Sequence, residues 1–315
     1  MSEADLTDFR ELWRLRVFEE QVRELRLAEE IVGSVHLGIG QEAIPVGAAG
    51  HLGPDDALFS TYRGHGWALV MGVPPESLFA ELMGRQSGIN GGRGGSAYFS
   101  APDYRFYGEN SIVGGSAPIA TGAALAGRFD GTDRVALVVF GDGAMNQGSV
   151  HESLNFAAAL NLPVVFLCEN NAWSEMTPIS AMVRDEQLYR RAAAYGIPGE
   201  RIDGNDPSQV RERLADAFEL AREGGGPSLV EAMTARLVGH YIGDAEVYRR
   251  PGELDAARER EPLVVIGQRL RAAGSPPAEL EAIEQSVRQE MRAAVEAARK
   301  SAPADPETAR DHVYI

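Results

Sequence analysis

Apolar residues fall at Leu6, Phe9, Trp13, Val17, Val22 and Leu25, with charged residues between them. That spacing is roughly helical and predicts a long amphipathic helix over 5–30. A glycine turn at Gly33 and the stretch VHLGIGQEA lead into a small-residue helix near 43–49. Residues 117–128 form an Ala/Gly segment suited to a helix packed closely on a sheet. The pattern then changes. VALVVF at 135–140 and PVVFLC at 163–168 are short, continuously apolar and rich in β-branched residues. Such runs predict strands buried on both faces, as in a parallel sheet. A turn at 141–148 and a helix at 149–162 separate them, making one βαβ unit. The alternation continues with a helix at 185–195, a strand near 200–203, a helix at 207–223 and a strand at 228–235. Two helices fill 262–300, and the Pro-rich tail SAPADPETARDHVYI is predicted to be extended. No internal repeat or linker interrupts the chain. The pattern predicts one doubly wound α/β domain over 1–315, with a mostly parallel sheet flanked by helices.

Composition narrows the function classes. The 315 residues are 44% hydrophobic, enough for one large core or two modest ones. No apolar run approaches the roughly 20 residues that span a bilayer, and the N-terminal MSEADLTDFREL lacks an apolar signal core. Cys168 is the single cysteine, so no internal disulfide or cysteine metal cluster can form. These features fit a reducing cytoplasm. The formal charge of −16 suits neither nucleic acid nor an anionic membrane. Lys300 is the only lysine, which excludes a P-loop lysine and a Schiff-base lysine in an internal motif.

The stretch 84–116 is dense in glycine, with Ile89, Tyr98, Phe99, Phe106 and Tyr107 interleaved. It can bring backbone close to a ligand while still packing. The sharper signal lies at the two strand ends. Asp142, between Gly141 and Gly143, follows VALVVF; Asn170 and Asn171 follow PVVFLC. In open α/β sheets ligands bind beyond the carboxyl ends of the strands. One carboxylate, one side-chain amide oxygen and backbone carbonyls make the hard oxygen site that Mg²⁺ prefers, with phosphate oxygens and water completing it. The helix opening after Gly148 can aim its N-terminus at the same anion. A lone GDG would read better as a strand-to-helix turn. GDG, 26 residues, then NN in strand–helix–strand order is far more specific.

GDGAMNQGSVHESLNFAAALNLPVVFLCENN resembles the thiamine diphosphate motif. From about His36 to the VYI terminus the chain is similar to alpha subunits of the first, decarboxylating component of 2-oxo acid dehydrogenase complexes. That family includes the pyruvate, branched-chain and acetoin dehydrogenase alpha subunits. The resemblance implies a thiamine diphosphate-binding fold, limited to the diphosphate-binding module. It implies Asp142 and Asn171 as magnesium ligands, with the main-chain carbonyl of Trp173 as a third, and backbone contacts from Gly143 and Ala144 to the diphosphate. TYRGHG at 61–66 matches Tyr-Arg-x-His-Gly, which makes Arg63 a phosphate clamp and Tyr62 a hydroxyl donor; on the bare sequence it is equally a surface turn. SIVGG at 111–115 implies pyrimidine contacts through the backbone of Ser111 and Val113, although the family has glycine where this chain has Ser111. HLGIGQEA at 36–43 places His36 at the active-site funnel, with Gln41 and Glu42 organising structure. VGHYIGDAEVYR at 238–249 makes His240 a diphosphate contact at the entrance, followed by Tyr241 where mammalian pyruvate enzymes carry a regulatory phosphoserine.

By the same resemblance, a 2-oxo acid is decarboxylated and its acyl unit passed to a lipoyl arm, with His36 and His240 as proton donors or substrate ligands. The family's activating glutamate lies on a second module. Glu42, Glu109, Glu152 and Glu169 already belong to alpha-subunit motifs, so a beta subunit in an α2β2 heterotetramer is expected, together with a lipoyl-bearing acyltransferase. Acetoin dehydrogenation, a biosynthetic homologue with a non-lipoyl acceptor, and a non-enzymatic nucleotide- or metal-binding protein stand as alternatives.

Overall fold

The structure is a computed structural model that describes residues 3–132 and 134–311. Helix α1 (Glu3–Leu27) leads to α2 (Ala43–Ala48), strand β1 (Ala57–Phe59), α3 (His65–Val70), α4 (Pro75–Leu82) and β2 (Phe106–Gly108). Helix α5 (Ser116–Asp130), β3 (Ala136–Gly141), α6 (Gly148–Ala159) and β4 (Val164–Asn170) form the central unit. A two-residue pair, β5 (Trp173–Ser174) and β6 (Thr177–Pro178), follows. Then come β7 (Gly199–Asp203), α7 (Pro207–Arg222), β8 (Ser228–Met233), α8 (Glu253–Arg258), α9 (Pro262–Ala272) and α10 (Pro277–Lys300).

The main sheet has six strands in the order β2-β1-β3-β4-β8-β7, and every pairing in it is parallel. The α/β fold and the doubly wound sheet expected from the sequence are present. Both faces are covered. Leu137, Val139, Val165 and Leu167 point into a core shared with α1, α2, α7, α9 and α10; Val138, Phe140, Phe166 and Cys168 point into a second core under α5 and α6. Alternate residues of one apolar run therefore serve opposite layers, which is why VALVVF and PVVFLC show no polar face. The strand order reverses between β1 and β3, and their carboxyl ends open a crevice there.

Some elements differ from the sequence reading. Residues 185–195 form no α-helix; a 3₁₀ segment, Leu188–Tyr195, begins three residues later. The Asp185 carboxylate accepts the Gln187 N–H at 3.0 Å and turns the chain there. Strand β8 stops at Met233, two residues short of the expected end. The tail is extended only as far as Asp305. Gln86 N donates to Ala302 O and Ala304 N to Gly84 O, pinning it beside α4. A 3₁₀ turn, Pro306–Arg310, follows, capped by Asp305; the expected extension of 312–315 lies outside the described residues. No helix among the described residues is long and apolar enough to cross a membrane.

Candidate functional site

The switch point holds a cavity of about 540 Å³. Segments following three strand ends line it: Thr61–Arg63 after β1, Asn110–Gly114 after β2 and Gly141–Ala144 at the end of β3. Glu169 and Asn171, at the end of β4, complete that side. All eleven residues singled out from the sequence are in the lining: His36, Tyr62, Arg63, Ser111, Val113, Asp142, Gly143, Ala144, Asn171, Trp173 and His240.

Asp142 is 1% exposed, and its Oδ2 is buried with no hydrogen-bond partner. Burial first, with Glu231 adding, pushes its carboxyl up to about 6 against opposing hydrogen bonds and Arg236. A buried, unpaired carboxylate oxygen is costly unless a cation or donor meets it. Asn171 Oδ1 accepts the Trp173 N–H at 3.1 Å, and its amide N donates to Gln41 Oε1 at 2.9 Å. Its oxygen is thereby fixed on the Trp173 side. Pro178 faces Trp173 across the β5–β6 pair and has no N–H to offer its carbonyl. The loop is also strained, since Ala172 (φ 66°) and Glu175 (φ 53°) are left-handed. Among the described residues no group of three or more His, Cys, Asp or Glu could hold a metal. A cation here would rest on one carboxylate, one amide oxygen and backbone carbonyls, a set that suits a hard oxygen-seeking ion.

Gly143 provides the close approach. A Cβ there would lie 2.7 Å from Ser174 Cβ, so only glycine lets the strand-end turn and the β5–β6 loop meet. The turn at Asp142–Asn146 is 3₁₀ and separates β3 from α6. The first turn at the cavity is this one, not that of α6, which the sequence reading had aimed at the anion. Ser149, in the first turn of α6, donates instead to Gly114 O at 3.2 Å.

Two arginines counter the chain's overall negative charge inside the cavity. Arg63 donates to Leu37 O at 2.5 Å and to His240 O at 3.0 Å, leaving the rest of its N–H fork for a ligand. Burial and the neighbouring Arg236 push it down to about 10. Arg236, which the sequence reading missed, is 2% exposed. It donates to Val238 O, Glu175 O and the Tyr248 hydroxyl, and lies 3.2 Å from His240 Nδ1. As a lone arginine in a strand-to-loop segment it carries no local signal; only the fold brings it in.

His36, Tyr62 and His240 form one ring cluster, with centroids 4.6, 5.0 and 5.9 Å apart. Because Arg236 can only donate, His240 Nδ1 is an acceptor and the neutral ring carries its proton on Nε2. Burial first, then Arg63, the neighbouring His240 and His65 and lastly Arg236, push His36 down to about 3. Burial, Arg63 and Arg236 take His240 to about 4 against the pull of Asp244. At pH 7 both imidazoles are therefore uncharged, although an unperturbed imidazole titrates near 6.5. His36 Nδ1 is buried without a partner, poised for a ligand.

The four glutamates set aside in the sequence reading divide. Glu42 is paired with Arg16 and the Gly40 N–H. Glu109 accepts the Gly64 and Phe99 N–H groups at 2.9 Å each, and burial pushes it up to about 7. Glu169 accepts from Trp67 Nε1 at 3.0 Å and is likewise raised to about 7 by burial. Glu152 is exposed on α6. Glu81 was not foreseen. It is wholly buried and accepts the N–H groups of Asn90, Gly92, Gly94 and Gly95, shaping the glycine-rich wall.

The sequence profile of the dehydrogenase E1 component family matches residues 10–310. The alpha subunit of acetoin:2,6-dichlorophenolindophenol oxidoreductase from Cupriavidus necator is 39% identical over 315 residues, spanning 99% of this chain and 95% of that protein. Its Bacillus subtilis counterpart is 39% identical, over 98% and 95% of the two chains. The pyruvate dehydrogenase E1 component subunit alpha of Rhizobium meliloti is 39% identical over 91% of this chain and 83% of its own. With the profile covering nearly the whole chain and relatives well above 30% identity, the chain belongs to the dehydrogenase E1 component family.

Proposed function

We propose that this chain is the alpha subunit of a thiamine diphosphate- and magnesium-dependent oxidoreductase that decarboxylates a 2-oxo acid and passes the acyl unit to a lipoyl acceptor. The observation that carries the reading is the orphaned Asp142 Oδ2 beside Asn171 and the Trp173 backbone, in a cavity that also holds Arg63 and Arg236. Asp142, Asn171 and the Trp173 carbonyl would hold Mg²⁺. Gly143 and Ala144 would meet the diphosphate through backbone, Arg63 and His240 would face it, and Tyr62 would add a hydroxyl. Ser111 and Val113 would meet the pyrimidine. When bound, the cofactor's thiazolium ring supplies the electron sink for decarboxylation.

The protein's own part is binding and proton placement. Neutral His36 and His240 present N–H donors and a free acceptor to an oxo or carboxylate group without adding charge. Phe140, packed with Phe166 and Met145 in the core under α5 and α6, gives the strand-end side of the site an apolar wall. Two things support a beta subunit. Of the four glutamates weighed from the sequence, Glu42, Glu109 and Glu169 are spent on partners within this chain and Glu152 is exposed on α6. Apolar side chains also stand uncovered, with Ile112 70% exposed at the cavity mouth and Phe129 85% exposed on α5. A partner covering them would complete an α2β2 enzyme and could bring the activating glutamate.

A second reading, acetoin as substrate, is favoured by the two acetoin oxidoreductase alpha subunits that match across 98–99% of the chain. Two experiments test the proposal. Calorimetry of thiamine diphosphate into the chain, with and without Mg²⁺, should give metal-dependent binding; none would overturn it. The chain co-produced with its beta partner should then be assayed for dye reduction with pyruvate, branched 2-oxo acids and acetoin in parallel.

A further inference from the structure

One line of polar side chains that the reading above does not use runs from the core to the cavity wall. Glu19 lies on α1, 2% exposed; its Oε1 accepts the Gly38 N–H at 2.9 Å. Its Oε2 is 3.0 Å from His65 Nδ1. His65 opens α3 and is 0% exposed, and its Nε2 is 3.0 Å from Ser96 Oγ. Ser96 lies within the glycine-rich stretch 84–116 and lines the cavity. Carboxylate, imidazole and hydroxyl thus follow one another at hydrogen-bond distance, with only the hydroxyl reaching the ligand space.

We propose that Glu19, His65 and Ser96 form a proton relay that opens into the cavity at the Ser96 hydroxyl and serves a carbonyl or carboxylate oxygen of the substrate. The proposal rests on reading the cavity as a site for a 2-oxo acid or acetoin. Ser96 is the catalytic residue; His65 and Glu19 are positioning residues.

An ionised carboxylate can only accept, so His65 Nδ1 carries a proton. Nε2 is the position that changes. With a proton on Nε2, His65 donates to Ser96 Oγ and turns the Ser96 O–H toward the ligand. The ligand oxygen takes the Ser96 proton as the Nε2 proton replaces it. One O–H bond forms on the ligand, the Nε2–H bond breaks, and His65 ends neutral with Glu19 still ionised. The reverse sequence accepts a proton.

The charged groups facing His65 are Glu19 from α1, Glu109 from beyond β2 and Arg63 from beyond β1. Burial opposes its protonation, but the Glu19 charge and hydrogen bond, with Glu109 adding, outweigh burial and the repulsion of Arg63, so His65 is raised. It differs in this from His36 and His240, which the same cavity holds uncharged. A purely structural role for Ser96 is the competing explanation. The loop around it is already held by four N–H bonds to Glu81 and by the Phe99 N–H to Glu109, so the Ser96–His65 bond is not needed to hold the loop.

The test has two arms. In the chain assembled with its beta partner, Ser96→Ala should lower kcat by about 100-fold, the scale of one general acid or base. KM and the affinity for thiamine diphosphate should stay within about twofold, and Ser96→Thr should restore most of kcat. An unchanged kcat in Ser96→Ala, or a threonine variant as inactive as the alanine one, overturns the relay. In the second arm, ¹⁵N-histidine NMR of the full chain, which has six histidines, reads His65 without any turnover. Expected are an Nδ1 proton lost in Glu19→Gln and a titration moved by Ser96→Ala. Absence of that proton, or a His65 titration that ignores Ser96→Ala, overturns the relay. A wild-type chain that fails to bind thiamine diphosphate with Mg²⁺ defeats the reading of the cavity instead, and the NMR arm still decides the hydrogen-bonded line itself.

Discussion

The side-chain amide of Asn171 donates to Gln41 Oε1 at 2.9 Å, joining the end of β4 to a segment 130 residues earlier. This bond decides which way the Asn171 amide faces, because its other end accepts the Trp173 N–H. Gln41 is 4% exposed and touches the proposed cation only through Asn171. Gln41→Met keeps the shape and removes the acceptor. Partners of this kind typically set 10–100-fold in metal affinity, so Mg²⁺ binding in the presence of thiamine diphosphate should weaken by about tenfold. Calorimetric Mg²⁺ titration measures it; equal affinities would show that Asn171 does not depend on Gln41.

Gly143 and Ser174 make a second paired prediction. A Cβ on residue 143 meets the Ser174 side chain, so Gly143→Ala should push the β5–β6 loop away from Asp142 and weaken cofactor binding. Ser174→Gly alone should be mild, and the double variant should recover most of the loss. Contacting residues commonly couple by roughly 0.5–3 kcal/mol, and a value near the middle of that range is expected from the double-mutant cycle. Additive effects would mean that the glycine serves the ligand directly.

The central unit was legible because its signals are local. Two apolar runs mark β3 and β4, and GDG and NN sit at their ends. The three-residue strands β1 and β2 were not, since no periodicity shows in so short a run; they join the sheet through bonds such as Ala57 N to Val135 O. The site divides the same way. The eleven residues taken from motifs all reached the cavity. Arg236, Glu81 and the Glu19–His65–Ser96 line were missed as functional groups because their meaning is a distance between remote segments. The proton affinities of His36 and His240 are not readable from residue type for a related reason: a free imidazole titrates near 6.5, and Arg63 and Arg236 lie near these two only in the folded chain.

Those histidines give a pH prediction. In the unfolded chain both imidazoles protonate near 6.5, whereas in the folded, ligand-free chain they do so near 3 for His36 and 4 for His240. At these two rings the unfolded state binds more protons below about pH 6.5, so their contribution to stability falls as the pH falls through that window. Glu109, Glu169 and Asp142, raised by burial, act with the opposite sign over the same range, so the histidine part is read as a difference. The urea midpoint of wild type minus that of His240→Gln, which carries no titrating ring, should decline from pH 7 to 6 to 5. In NMR neither ring should titrate between pH 5 and 8; a midpoint near 6.5 for either would refute the assignment of uncharged rings.

Glu81 offers the clearest separation of chemistry from scaffold. Its two carboxylate oxygens accept four loop N–H groups: Oε2 from Asn90 and Gly92, Oε1 from Gly94 and Gly95. Glu81→Gln keeps the volume but turns one oxygen into an NH₂ group, which must then face two N–H donors. Leaving buried donors unpaired costs about 1–3 kcal/mol each, and with some of the loop open to water a loss of roughly 2–4 kcal/mol overall is expected. Denaturant midpoints measure that loss. Because residues 90–95 would be released first, limited proteolysis should cut there under conditions that leave the wild type intact. Cofactor binding through Asp142, which lies at the end of β3 and outside the loop that Glu81 holds, should survive until the loop is cut. If Glu81→Gln matched the wild type in both stability and cleavage, the carboxylate would not be what shapes the glycine-rich wall.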